Sequence, residues 1–530
     1  MSTHDATRPY AAGVIGLETT GVADRSIAMD ILHALIESHD LCCAFHHDMS
    51  FDPPERIWRP IETTPDLDLL LVALRPGAAV LLNRLNQALA TRASLRLGSP
   101  LVVFGGTTHY TAEGQVSAAP ALTWSGDAEA GWPRILDRLA QHAPQLRSTI
   151  RKTTLSPFAM PAQHSTARSV QAGGTVWVEA SRSCPLHCSF CVLSTPALDT
   201  TWRPRPIAHL LDEIAYLIDT YDVTDVSFSD YSAFETDAYV EQFLTGVRDR
   251  GLDFTFRCDM RLSTARRLSH RLPELYTAGL RAVYVGIESL VGRQRAIYGK
   301  GYPGKTVIDL LRAQGIFVAA GFITLDPMST PDEFRQQVLG ITEQGLLDSI
   351  ATPFKTMRIQ RHTSYEQQAR KLGIVGELNP DGYTYAYRCA DDRLEIIRKV
   401  IEFFHGTTKD VYYNPYIENN IRERRDVEDW QRQTFRQITR RYKNAQIDFL
   451  EELASIATTN DSVTIVTDLV HRAAERFSAT RHAIFRRTAQ DYDHLLSRGT
   501  RHYRSDVINF INQWRSVPSF DSDVLRTDTS

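Results

Sequence analysis

No apolar run in this 530-residue chain reaches the roughly 18 residues that a membrane span requires. The opening residues, Met1 to Pro9, are polar and lack the apolar core of a signal peptide. Neither sign of charge dominates. The 59 Lys and Arg against 63 Asp and Glu leave a net charge of −4, so there is no electrostatic case for nucleic acid or an anionic membrane as partner. Cysteine is sparse, with seven in all, and those at 42, 43, 258 and 389 show no framework spacing. An odd count without a secretion signal argues for reduced thiols, and the cytoplasm is the expected compartment. What remains is an ordinary globular composition, 43% hydrophobic and 23% charged. Its length suits about three domains of roughly 150 residues each.

Residues 1–145 alternate apolar runs with helical patterns. Ala11 to Gly16, Leu67 to Leu74 and Pro100 to Phe104 read as strands, and Ile27 to Ser38 and Gly77 to Ala90 as helices. This alternation predicts a doubly wound (Rossmann-like) α/β domain with ligands at the carboxyl ends of its strands. Residues 146–172 have no clear period and read as a linker. A second alternating region, 173–365, offers six strands: Val176–Ala180, Asp225–Phe228, Asp253–Phe256, Ala282–Gly286, Phe317–Leu325 and Ala351–Ile359. Helical stretches such as Ile207–Tyr221 and Ala265–Ala278 separate them, and the series predicts a partial (β/α)6 barrel with its chemistry at the strands' C-terminal ends. Residues 366–530 read as mainly helical, with long segments at 391–405, 420–455 and 462–497 and no strand alternation.

The remaining three cysteines carry the chemistry. Cys184, Cys188 and Cys191 stand in the run Ser181-Arg-Ser-Cys-Pro-Leu-His-Cys-Ser-Phe-Cys-Val192. Three thiolates at C-x3-C-x2-C can hold three irons of a 4Fe–4S cube, which normally takes four cysteines, and one iron stays open for a chelating cosubstrate. The alternatives are a zinc site, which would want a fourth ligand at similar spacing, or a coincidence of buried thiols. His187 lies inside the triplet, but between cysteines it is expected to point away from a common metal.

With Phe190 just before the last cysteine and a strand just before the triplet, this segment resembles the radical S-adenosylmethionine superfamily. Further pieces resemble the family in order: Ser227-Phe-Ser-Asp-Tyr231, Phe256-Arg-Cys-Asp-Met-Arg-Leu262, Leu275-Tyr-Thr-Ala-Gly-Leu280, Val285-Gly-Ile-Glu-Ser289, Tyr298-Gly-Lys-Gly301 and Thr324-Leu-Asp-Pro-Met-Ser-Thr-Pro-Asp-Glu333. The resemblance implies a 4Fe–4S cluster on the three cysteines and S-adenosylmethionine on its open iron. It places Phe190 against the adenine. Cleavage of the sulfonium would give methionine and a 5′-deoxyadenosyl radical, with the electron supplied by a flavodoxin- or ferredoxin-type donor. A zwitterionic methionine needs a cation for its carboxylate and acceptors for its amine and ribose hydroxyls. Arg257 is the expected cation, and Asp230 and Glu288 the expected acceptors; each could also be a structural ion-pair member. Arg261 and Lys300 read as solvated loop charges.

The first region resembles the cobalamin-binding-type domain found ahead of many such enzymes. The matching pieces are Pro65 to Leu71, Val102-Val-Phe-Gly-Gly-Thr-Thr-His109 and Leu122-Thr-Trp-Ser-Gly-Asp-Ala-Glu129. Gly105 and Gly106 would let the backbone approach a bulky ligand. The family's D-x-H-x-x-G pattern corresponds to Asp24-Arg-Ser-Ile-Ala-Met29, with serine in place of the cobalt-ligating histidine. His33, His39, His46, His47 and His109 lack the spacing and read as surface residues. Many family members bind cobalamin without such a histidine, so cobalamin stays a possible cofactor.

Tyr383, Tyr385 and Tyr387 alternate as in a short half-buried strand, while Tyr412 to Tyr416 could face a ring-bearing substrate. Arg422 to Lys443, with acidic residues interleaved, reads as a solvated amphipathic helix. The expected function is cobalamin-dependent C-methylation of a small natural-product intermediate. The rival on the same scaffold is a cobalamin-independent dehydration, epimerisation or oxidation. A protein of another class, a non-catalytic iron–sulfur protein, would need a fourth protein ligand.

Overall fold

The computed structural model describes residues 11–17, 27–37, 42–49, 52–74, 78–105, 116–124, 127–142, 158, 161, 164–171, 176–195, 200–301, 304–408, 428–459, 461–498 and 504–525. They form two compact units, one of Met1–Leu186, Cys191–Ser229 and Leu378–Tyr385, the other of His187–Phe190, Asp230–Glu377 and Ala386–Ser530.

In the first unit, β1 (Ala11–Leu17), β2 (Cys42–Asp48), β3 (Leu67–Leu74), β4 (Leu101–Gly105) and β5 (Ala121–Trp124) make a parallel sheet in the order β2-β1-β3-β4-β5. Successive side chains alternate between two buried faces, so the strands read as near-continuous apolar runs. Ile15, Leu70, Val72, Val102 and Phe104 pack against Ile57, Trp58 and Leu85 of the helices Pro54–Thr63 and Leu82–Ser94. Val14, Leu69, Leu71 and Val103 pack on Leu35, Ile36, Trp132 and Leu136 of Ile27–Glu37 and Ala128–His142. This is the expected doubly wound domain, with its topological switch point between β1 and β3. The same unit holds the short strands β6 (Trp177–Val178), β7 (Ser181–Arg182) and β8 (Arg203–Pro204), and β9 (Asp225–Phe228). Of these, β6 pairs in parallel with β9, and β7 antiparallel with β8.

In the second unit β10 (Thr255–Met260), β11 (Leu280–Glu288) and β12 (Phe317–Phe322) are parallel neighbours. The long helices Asp429–Ala457 and Val463–Ser497 pack on each other, with Phe449 and Phe477 stacked at 4.4 Å and Phe404 edge-on to Phe477 at 4.8 Å.

Several expectations need correction. The sixth barrel strand, expected over Ala351–Ile359, is reduced to the isolated bridges Ala320↔Ile350 and Leu325↔Thr356 and a short strand, Ile359–Gln360. Pro353 lacks the N–H that a continuous ladder requires. The helix expected over Ala265–Ala278 is three pieces, Leu262–Arg267, a 3₁₀ turn Leu268–Arg271 and Leu272–Thr277, the last restarted by Pro273 in its first turn. Part of the expected linker is a helix, His164–Gln171. The C-terminal region is not free of strands, since Val375–Leu378 and Thr384–Tyr387 are extended, the latter as the tyrosine alternation suggested. His33 is not a surface histidine. It is buried, with its Nδ1 3.0 Å from that of His46 and 3.5 Å from Cys43 Sγ. Its neighbours come from β2, whose polar run Phe45-His-His-Asp48 hid it from a hydrophobicity pattern.

Candidate active site

The three cysteines lie on the loop between β7 and a 3₁₀ turn at Val192–Ser194. None is in a disulfide; Cys188 is buried and Cys184 and Cys191 are half-buried. Ser183, just before them, takes a left-handed φ of 69°. Among the described residues, no three His, Cys, Asp or Glu side chains are gathered on one metal-sized point. A cluster asks for less, because each thiolate binds a different iron and the sulfurs stand farther apart than the ligands of one tetrahedral ion. Three cysteine sulfurs on one loop are soft donors of the kind that suits an iron–sulfur cluster.

Arg182 anchors the approach to this loop. Its guanidinium makes paired bonds to Glu129 (2.9 and 3.0 Å) and to Glu179 (2.8 and 2.9 Å), and lies 3.3 Å from Asp127, which also takes Arg203 at 2.9 Å. Burial pushes the Glu129 carboxyl up and Arg182 outweighs it, leaving it below its ordinary value; at Glu179 burial prevails and the carboxyl is raised. The acidic pair Asp127 and Glu129, which resembled part of a cobalamin domain in sequence, is thus engaged by arginines flanking the cysteine loop. At the carboxyl end of β4, no atom of the described residues beyond its chain neighbours comes within 4 Å of where a Cβ on Gly105 would stand. Gly106 to His109, Asp24 to Ser26, the side chains of Ile27 to Met29, His39 and Tyr412 to Tyr416 lie outside the described residues.

The second unit carries the other predicted site residues. Phe190 is half-buried, its ring edge-on to Tyr298 at 5.3 Å, with Lys300 Nζ 6.0 Å from its centroid. Gly299, at φ 72°, packs against the loop, and a Cβ there would sit 3.4 Å from the His187 carbonyl. Along β11, Val283, Val285 and Ile287 are buried, while Tyr284 is 44% exposed and Gly286 and Glu288 are half-buried. One face of the strand is therefore packed and the other open. On the neighbouring β10, Asp259 pairs in register with Tyr284, and Arg257 lies two residues before it on the same face.

Glu288 ends β11 in a left-handed conformation, φ 61°, which costs a non-glycine residue about 1–2 kcal/mol. Its carbonyl is held by the Ile323 N–H at 2.8 Å and the Gln337 amide at 3.3 Å. Its carboxylate pairs with Lys300 at 3.4 Å over Gly286 and Gly321, neighbours in register across β11 and β12. A Cβ at 286 would lie 2.4 Å from Glu288 Oε1, and one at 321 would lie 3.3 Å from Oε2. Gly286 makes room for this carboxylate and its lysine, and Gly321 for the Tyr284 hydroxyl first and the carboxylate next. Lys300, expected to be solvated, is instead its partner. Arg261 also has a structural role, bonding Glu235 through Nε at 2.7 Å.

Arg257 and Asp230 are both buried. Asp259 is half-buried, and burial pushes its carboxyl up to about 7 against the pull of Arg257. Burial also raises the Cys258 thiol, with Asp259 and Asp230 adding to it. The titrating carboxyl of Asp259 was not singled out in sequence, because nothing in Phe256-Arg-Cys-Asp-Met260 distinguishes an open strand face from a packed one.

The fold, a doubly wound parallel sheet, a second parallel sheet preceded by a cysteine loop, and a helical C-terminal region, is shared with solved cobalamin-dependent radical S-adenosylmethionine enzymes. OxsB, a cobalamin-dependent S-adenosylmethionine radical enzyme solved with aqua-cobalamin bound, aligns with 96% of this chain and 84% of its own at a TM-score of 0.73 and 13% identity. Its complex with aqua-cobalamin and S-adenosylmethionine aligns at 0.72 and 14% identity over the same shares. TsrM from Kitasatospora setae, a radical S-adenosylmethionine methyltransferase solved with cobalamin and a 4Fe–4S cluster, aligns at 0.53 and 16% identity over 69% of this chain and 79% of its own. No family model and no curated protein matches the sequence. The likeness is one of fold.

Proposed function

We propose that this chain is a radical S-adenosylmethionine enzyme that carries out cobalamin-dependent C-methylation of a small natural-product intermediate. The observation that carries the reading is the loop of three cysteines outside any disulfide, Cys184, Cys188 and Cys191, in a chain with the fold of OxsB and TsrM. When bound, the cluster and S-adenosylmethionine supply a one-electron cleavage of the sulfonium, and cobalamin supplies the methyl group. The chain's own residues hold and orient. The cysteines hold three irons, Phe190 lies along the adenine, and Arg257 meets the methionine carboxylate. Asp230 and Glu288 accept hydrogen bonds from the amine and ribose hydroxyls, with Glu288 pre-set by its left-handed backbone and Lys300. Gly105 leaves room for the corrinoid's approach at the end of β4. The electron comes from a flavodoxin- or ferredoxin-type donor.

The test is anaerobic purification with cobalamin supplied, followed by metal analysis, an absorption spectrum and an assay for 5′-deoxyadenosine. Stoichiometric cobalt and iron with S-adenosylmethionine turnover supports the reading. Iron without cobalt favours the cobalamin-independent rival, and no deoxyadenosine with any reductant overturns both.

A further inference from the structure

We propose that Asp326 is a positioning residue for the cysteine loop, acting through the phenols of Tyr298 and Tyr365; the inference rests on reading that loop as a cluster site. Ser189, between Cys188 and Cys191, is gripped through both of its peptide groups. Its N–H donates to the Tyr298 carbonyl at 3.3 Å, and its carbonyl accepts the Tyr365 N–H at 2.8 Å and the Ser364 hydroxyl at 3.3 Å. The two residues that grip it from opposite sides, Tyr298 and Tyr365, send their hydroxyls to one atom. Asp326 Oδ2 accepts Tyr298 at 2.5 Å and Tyr365 at 2.7 Å, while Oδ1 accepts the Met328 N–H at 2.6 Å. Asp326 is 2% exposed, and both tyrosines are fully buried. Two further contacts tie the same element to the loop, the edge of Tyr298 on Phe190 and the close approach of Gly299 to His187 and Cys188.

Packing alone does not ask for this arrangement. Three apolar side chains of similar size would fill the same volume without burying a carboxylate, and such replacements are often neutral or stabilising. A satisfied buried polar network instead gives a single geometry, because each hydroxyl has one acceptor and few ways to reach it. Here the geometry fixed is the relation between the end of β12, the residue before Gly299 and the start of the helix Ser364–Lys371. The last two meet the peptide beside Cys188, and Asp326, beyond the end of β12, joins them through their hydroxyls. Outer partners of metal ligands, when removed, typically change metal affinity or activity 10–100-fold.

The test uses the full chain in two states. In the apo-protein, alkylation of Cys188 by iodoacetamide is followed by mass spectrometry, a readout that does not depend on what the loop binds. In the reconstituted protein, the electron paramagnetic resonance spectrum of the reduced cluster is recorded with and without S-adenosylmethionine, alongside deoxyadenosine formation. Three variants are compared: Asp326→Asn, Tyr298→Phe, and an apolar triple in which Tyr298→Phe and Tyr365→Phe accompany Asp326→Leu. The expected result is a thermal midpoint in the triple close to wild type, Cys188 alkylation faster by about tenfold, an altered cosubstrate-dependent spectrum, and deoxyadenosine formation lower by about 10–100-fold. Asp326→Asn and Tyr298→Phe should fall between. A folded triple variant with wild-type alkylation and spectrum overturns the proposal. A wild-type protein whose spectrum ignores S-adenosylmethionine overturns the functional reading, and the alkylation rates then judge Asp326 separately.

Discussion

Replacing Gly286 by alanine separates binding from folding at the proposed cosubstrate site. The added Cβ would stand 2.4 Å from Glu288 Oε1 and 2.7 Å from Lys300 Nζ, both the far ends of flexible side chains. The strand can therefore stay where it is, and the Glu288–Lys300 pair must move. That pair is mostly buried, at 12% and 14% side-chain exposure, so it lies between the surface case of about 0–1 kcal/mol and the buried case of about 3–5. Displacing it should cost about 1.5 kcal/mol of Glu288 placement, or roughly tenfold in the affinity of a ligand that Glu288 contacts. The assay is calorimetric titration of S-adenosylmethionine into anaerobically reconstituted protein, with the thermal midpoint measured alongside. Gly292→Ala is the control, since a Cβ there meets nothing within 4 Å. The expected outcome is a dissociation constant about ten times wild type in Gly286→Ala, no change in Gly292→Ala, and similar midpoints in all three. Wild-type affinity in Gly286→Ala would refute the reasoning that Glu288 is held in place for the ligand.

Cys184→Ala, Cys188→Ala and Cys191→Ala should each abolish deoxyadenosine formation, while Cys389→Ala, a buried thiol outside the triplet, should retain it; activity in any of the first three sinks the cluster assignment. Asp259 has a folded-state pKa raised from 3.8 to about 7, so the folded chain keeps a proton that the unfolded chain releases, and stability is lost as pH rises from about 4 to 7. Asp259→Asn should therefore gain on wild type by about 2 kcal/mol more at pH 8 than at pH 4, the full shift being halved for partial exposure. Thermal melts at the two pH values check it, and equal gains would count against the raised pKa. Arg182→Met leaves Glu129 and Glu179 without their shared partner and should cost about 3–5 kcal/mol, read as a lowered unfolding midpoint; a midpoint near wild type would show that Arg203 and bound water suffice.

The strands and helices that sequence reading placed to the residue, Leu67–Leu74, Asp225–Phe228 and Ile207–Tyr221, share one property. Their apolar residues run together in the strands and recur at helical spacing in the helix, so the hydrophobic pattern alone marks their length. Where burial mixes with polar contacts the reading fails, as at β2 with its two histidines, at the sixth strand interrupted by Pro353, and in the helix restarted at Pro273. The cysteine triplet was legible because its three residues stand within eight positions on one loop. Lys300 was not, since its partner Glu288 lies twelve residues earlier and only the turn of the chain through Gly292–Tyr298 brings the two together.

Local spacing thus shows the cysteine triplet, the alternating α/β plan and the lack of a histidine in Asp24 to Met29, because each depends on residues a few positions apart. Folding settles which charges are spent on structure and which are held ready. Arg182 takes up Asp127 and Glu129, two glycines on adjacent strands make room for Glu288, and Tyr298 and Tyr365 meet on Asp326 beside the cysteine loop. These pairings join segments tens of residues apart, and their energies depend on burial, which no short stretch of sequence carries.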